Sequence, residues 1–136
     1  MKDGNEAADI QSTDENPEIN ITGVDTEKGL ALYYDEMDIY LQALRSYAAN
    51  TPAVLDKIRN VSGETLQDYT INIHGIKGTS ANIGAEEIKN NAALLESMSK
   101  SGDLDGVLAK NEAFIKEVES VVAGIKAWLE QYDVKI

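Results

Sequence analysis

The stretch His74-Gly75-Ile76-Lys77-Gly78-Thr79-Ser80-Ala81-Asn82-Ile83-Gly84-Ala85 decides how this chain is read. On a helix advancing roughly 100° per residue, Leu66, Tyr69, Ile73, Ile76, Ser80 and Ile83 gather on one side and face a core. His74 falls roughly 130° from the centre of that cluster, so its imidazole points to solvent. Gln67, Ile71, Gly75, Gly78 and Asn82 share the outer face. Two of these are glycines inside a helix, each costing about 1 kcal/mol relative to alanine. Bare backbone there offers access: a pocket on another protein can close over the ring without side chains in the way. Ile71, an apolar residue left in water one turn before His74, reads with Gly75, Gly78 and Asn82 as a docking patch. Lys77 follows His74 by three residues and is its neighbour on the helix surface. An ammonium there favours the neutral imidazole, whose lone pair is nucleophilic, and offers a counter-charge to an arriving anion. A lone surface histidine before a lysine is most often only solvated surface. The two exposed glycines and the core-opposed placement single this one out.

Apolar residues in steps of three and four extend the helical pattern in both directions. Asp25 reads as the N-cap of a short helix through Leu30 and Leu32, entered by an extended segment from Ile19 to Val24. Met37, Tyr40, Leu41, Leu44, Tyr47, Ala48, Val54, Leu55 and Ile58 form the next stripe. Thr51-Pro52 interrupts it and is compatible with a new helix start. The stripe stays in phase across the proline, which favours one kinked helix. Ser62-Gly63 ends it. Thr65 with Asp68 resembles a capping arrangement for the histidine helix, which should run to about Ile83 and stop near Gly84. Ile88, Ala92, Leu95 and Met98 line a further helix, ended by Gly102. Asp103 caps the last one, whose inner face is read as Leu104, Leu108, Ile115, Val118, Val122, Ile125, Leu129 and Tyr132, widened by Phe114, Val121 and Trp128. Nothing alternates with period two. The expected fold is all-α: an antiparallel up-down four-helix bundle with a short N-terminal capping helix.

Composition narrows the chemistry. Among 136 residues there is one histidine and no cysteine, so disulfides, thiolate chemistry and multi-histidine metal sites are excluded. No metal ligands of its own are assigned. A net charge of −12 disfavours nucleic acid and anionic lipid as partners. Asp3, Glu6, Asp9, Asp14, Glu15 and Glu18 oppose Lys2 alone, so residues 1–18 read as a flexible acidic tail or linker and 19–136 as the folded domain. No apolar run suits a signal peptide or a membrane span, which points to the cytoplasm and no direct membrane contact. No phosphate-cradling glycine loop or dinucleotide fingerprint is present.

The segment HGIKGTSANIGA resembles the signature of histidine-containing phosphotransfer (HPt) domains, through His74, Lys77, Gly78 and Thr79 and the run from Ala81 to Ala85. The resemblance reaches outward to Gly23-Val24-Asp25, Gly29-Leu30, Tyr40, the stretch Tyr47 to Ile58 with Pro52, Leu95-Glu96 and Gly102-Asp103, covering roughly residues 19–132. It implies that His74, through Nε2, accepts a phosphoryl group from the aspartyl phosphate of a response-regulator receiver domain and yields it to another receiver's aspartate. Lys77 would steady the phosphoryl group and Gly78 would permit close approach. It also implies no kinase activity of the chain's own, Mg²⁺ supplied by the receiver, and a chain either free-standing or joined to a hybrid sensor histidine kinase; a monomer fits a relay that must expose its histidine. Two other readings compete. One is the phospho-accepting module of a chemotaxis-type kinase. The other is a non-catalytic helical adaptor that docks a partner by the same face.

Overall fold

A computed structural model describes residues 18–135. Of the acidic tail expected over residues 1–18, residues 1–17 lie outside the described residues. The elements are α1 (Thr26–Ala31), α2 (Met37–Ile58), α3 (Leu66–Ala81), α4 (Glu86–Lys100) and α5 (Leu104–Lys135). No strand occurs among the described residues. Each long helix packs on the next and α5 returns to α2, closing a four-helix ring on which α1 sits against α2. Cross-helix pairs give the direction. Along α2 from Arg45 to Arg59, the partner on α5 runs backward from Asp133 to Glu119, at 2.7 and 2.6 Å. Such exposed ion pairs add little stability, but they record antiparallel register.

Local chemistry explains the boundaries. The Asp25 carboxylate accepts the Lys28 backbone N–H at 3.1 Å and so caps α1, as expected. Gly84, at φ +87, reverses the chain after α3. Ala85 N–H then donates to Ser80 O at 2.9 Å and Gly84 N–H to Ala81 O at 3.3 Å, the paired bonds of a glycine-stopped helix. The same pair recurs at Gly102 (φ +81), where Asp103 N–H donates to Met98 O and Gly102 N–H to Ser99 O. The Asp103 carboxylate accepts Gly106 N–H at 2.9 Å and starts α5. One helix runs unbroken through Pro52.

Three sequence readings need correction. Thr65 makes no capping bond to α3. Its backbone lies at φ −100, ψ 6 rather than extended, and its hydroxyl instead accepts Ser62 N–H at 2.8 Å. The helix ends at Ala81, two residues early, because its last turn tightens into the glycine stop. Leu108 is not on the inner face of α5: it is 52% exposed, while Val107 is sealed. The true line runs Val107, Asn111, Phe114, Val118, Val121 and Ile125, all buried. Asn111 hides it by being polar. Its amide donates to Ile58 O at 2.7 Å and accepts the Tyr69 hydroxyl at 2.8 Å, tying α5 to the end of α2 and to α3. An unpaired buried group of this kind costs about 1–3 kcal/mol, so the network makes this polar core position tolerable.

The rest of the core matches its sequence pattern. Tyr40, Leu44, Leu55, Ile58, Tyr69, Ile73, Ile83, Ile88, Leu95 and Ile125 are fully enclosed, and Ile19 and Ile21 of the entry segment are buried with them. Three tyrosines pin the C-terminal end of α3. Tyr33 donates to Asn82 O at 2.9 Å, Tyr40 donates to Ile83 O at 2.8 Å, and Tyr47 meets the Ser80 hydroxyl at 2.9 Å. Burial pushes the Tyr47 hydroxyl up to about 12, so it stays neutral at physiological pH. The histidine helix is thereby fixed along its inner side and free along its outer side.

Candidate functional site

The buried neighbours Ile73 and Ile76 anchor α3 on either side of His74 and turn its ring outward. The imidazole is 67% exposed, as the projection expects. It is not loose, however. Its Nδ1 lies 2.8 Å from Oε2 of Glu96, on α4. The Glu96 side chain is only 6% exposed and is bonded at both oxygens: Lys77 Nζ reaches Oε1 at 2.7 Å and Lys100 Nζ reaches Oε2 at 3.2 Å. Hydrogen bonding from Lys77 above all, with His74 and Lys100 behind it, outweighs burial and holds the carboxyl down to about 2.

The protonation pattern of the ring follows. An ionised carboxylate can only accept, so Nδ1 carries the proton and donates it. The lone pair is left on Nε2, the nitrogen that faces away from Glu96. The site is thus a nucleophilic ring nitrogen at the surface, backed by a nearly sealed anion that is itself clamped by two ammonium groups.

Sequence reasoning placed His74, Ile71, Gly75, Gly78 and Asn82 on one strip, and all five are exposed. A Cβ added at Gly75 or Gly78 would meet nothing within 4 Å, so neither glycine is required by packing. Ile71, Gly75 and Asn82 line a groove of about 310 Å³ between α2 and α3, floored by Tyr47, Val54 and Ile76. Gly78 lies outside that groove on the same strip. Lys77 is brought to Glu96 rather than left unpaired beside the ring. Glu96 itself was missed as a site residue. The signal was available: it follows Ala92 by four and Ile88 by eight, so it is a charge on the inner edge of an apolar stripe.

Among the described residues, no group of three or more His, Asp or Glu side chains is placed to hold a metal. No described helix is long and apolar enough to cross a membrane.

A four-helix bundle presenting one histidine outward against a buried carboxylate has the build of a histidine phosphotransfer module. The family model of the Hpt domain matches residues 29–133, and the chain belongs to that family. Hpt domains serve phosphotransfer in two-component signalling and interact with the receiver domains of response regulators. No curated protein and no solved structure matched the chain.

Proposed function

We propose that His74 is a relay nucleophile that takes a phosphoryl group from one receiver aspartate and gives it to another. The observation that carries this is the 2.8 Å contact of Nδ1 with ionised Glu96 beneath an exposed ring. It supports attack by Nε2, the nitrogen named in the sequence reading.

The Nε2 lone pair adds to the phosphorus of the aspartyl phosphate in line with the departing oxygen. The N–P bond forms as the P–O bond breaks, and the donor leaves as a carboxylate. The ring keeps its Nδ1 proton and becomes cationic, and Glu96 compensates that charge. For onward transfer, a second receiver's carboxylate oxygen attacks the phosphorus and the N–P bond breaks. Neutral imidazole returns, with no proton gained or lost by the chain. Mg²⁺ and the groups around the aspartate come from the receiver in this scheme.

The strip of Ile71, Gly75, Gly78 and Asn82 is where the receiver docks, its apolar part seating on the groove beside Ile71. Ile19 and Ile21, buried in the core, support a domain that starts at residue 19. It acts as a cytoplasmic monomer, since a second copy over α3 would cover the ring. The same chemistry serves a free-standing relay protein and a module joined to a hybrid sensor kinase.

Mixed with a phosphorylated receiver, Mg²⁺ and no ATP, the chain gains an acid-labile, alkali-stable phosphate, and folded His74→Gln gains none. Labelling of that variant contradicts the assignment. Receiver binding without any labelling of the natural chain returns the adaptor reading.

A further inference from the structure

Two lysines meet one carboxylate in this site, and they do so unequally. Lys77 holds Oε1 at 2.7 Å and is 33% exposed. Lys100 holds Oε2 at 3.2 Å and is 65% exposed. Oε2 is also the oxygen that accepts from His74 Nδ1. The imidazole and Lys100 therefore share an acceptor, whereas Lys77 has one to itself.

Resting on the relay reading above, we infer that Lys100 is the cation that moves onto the phosphoryl group of His74, while Lys77 stays on Glu96 as a positioning residue. Phosphorylation makes the ring a cation, and its Nδ1–H then binds Oε2 more strongly. Lys100 is the weaker tenant of that oxygen. Its ammonium, one turn along α4 from Glu96, is 65% exposed, so water takes the place of the carboxylate around it at little cost, while Lys77 and His74 keep the nearly sealed Glu96 paired. A phosphoryl dianion arriving on the adjacent ring offers it better acceptors. Among the described residues no other donor competes for Oε1, so nothing displaces Lys77, and its departure would leave that nearly sealed oxygen unpaired.

The charge balance agrees. Two ammonium groups against one carboxylate leave one positive charge over in the resting site. Within a chain of net charge −12, that is a local reversal beside the nucleophile. The surplus belongs to the lysine that can leave without unclamping Glu96. The sequence motif points to Lys77 for this role because it is near in the chain. The fold brings Lys100 from another helix.

The test compares Lys100→Gln and Lys77→Gln with the natural chain in two measurements. One is the rate of phosphoryl transfer from a phosphorylated receiver. The other is the ring tautomer of unphosphorylated His74, read from its ¹⁵N resonances. Lys100→Gln is expected to keep the Nδ1–H tautomer yet slow transfer by roughly tenfold or more, as for loss of one hydrogen bond to a charged group. Lys77→Gln is expected to weaken the tautomer preference itself. Full-rate transfer by Lys100→Gln overturns the inference, as does a slow Lys77→Gln that retains the tautomer, or a Lys77→Gln unchanged in both. In all three cases the natural chain is labelled and the relay reading stands. An unlabelled natural chain instead ends the relay reading and this inference with it.

Discussion

Oε2 of Glu96 sits 2.8 Å from Nδ1 of His74, so a nearly sealed anion on one helix fixes the proton of an exposed ring on another. The contact joins α3 to α4 and divides the imidazole into a held nitrogen and a reactive one. The chemistry of the site follows from that division.

Glu96→Gln tests the division. A glutamine has no charge, and its amide can turn to donate to Nδ1 as well as accept from it. Donation would place the ring proton on Nε2 and block the nucleophile. Transfer from a phosphorylated receiver should fall roughly tenfold or more, in line with loss of a residue that orients a working histidine. The ¹⁵N spectrum should show a mixed tautomer. An undiminished rate would remove Glu96 from the mechanism.

The same substitution has a pH signature in stability. The folded carboxyl is held at about 2, against 4.5 when unperturbed. Between those values the unfolded chain binds the proton first, so stability rises with pH across that window. The contribution of Glu96 is complete above about pH 4.5 and is lost as pH falls toward 2. Its size should be on the order of 1–2 kcal/mol, because Lys100 is screened by solvent. Denaturant unfolding of the natural chain and Glu96→Gln should therefore differ most at pH 7, draw together as pH falls from 4.5 toward 2, and converge only below about pH 2. A constant gap across that range would mean that charge is not what Glu96 contributes.

Gly75→Ala and Gly78→Ala should separate stability from function. Each added methyl group meets open space on a helix, so each variant should be more stable by about 0.5–1 kcal/mol. Transfer should slow, since the methyl groups stand where the receiver must close over His74. Thermal unfolding and transfer rates on one preparation decide this. Greater stability with unaltered transfer would show that the bare backbone is not there for access.

Ile71→Asp probes docking. Ile71 is 64% exposed at the rim of the groove, so the fold should lose no more than about 0.5 kcal/mol. Receiver affinity should drop several-fold, measured by titration calorimetry. Equal affinity for both forms would place the docking surface elsewhere.

How far the sequence was legible depends on what each residue announces locally. The stripes of α2, α3 and α4 are written in apolar residues at helical spacing, and the helices follow them. The outward turn of His74 is legible because Ile73 and Ile76 fix the phase around it. The α5 phase was misread at Leu108 because Asn111, a buried polar residue, breaks the apolar line; its partners Tyr69 and Ile58 O are distant in sequence. The turn between α1 and α2 left no signal, since Tyr34 and Asp35 adopt φ of 56 and 62 without a glycine. Glu96 shows in the sequence only as a charge on the inner edge of the α4 stripe, and Lys100 only as its i,i+4 partner. That Glu96 meets His74 and Lys77 comes from the packing of α4 on α3, and sequence spacing within one helix cannot register a bond between two.

The atom that takes the phosphoryl group is the most direct measure of the account. In the phosphorylated chain, phosphorus on Nε2 is three bonds from both ring carbon protons. Phosphorus on Nδ1 is three bonds from only one, because Cγ carries no hydrogen. A ³¹P–¹H correlation spectrum should show both ring protons of His74 coupled to phosphorus. Coupling to a single ring proton, or a phosphate on any other residue, would contradict the claim that Glu96 reserves Nε2 for transfer.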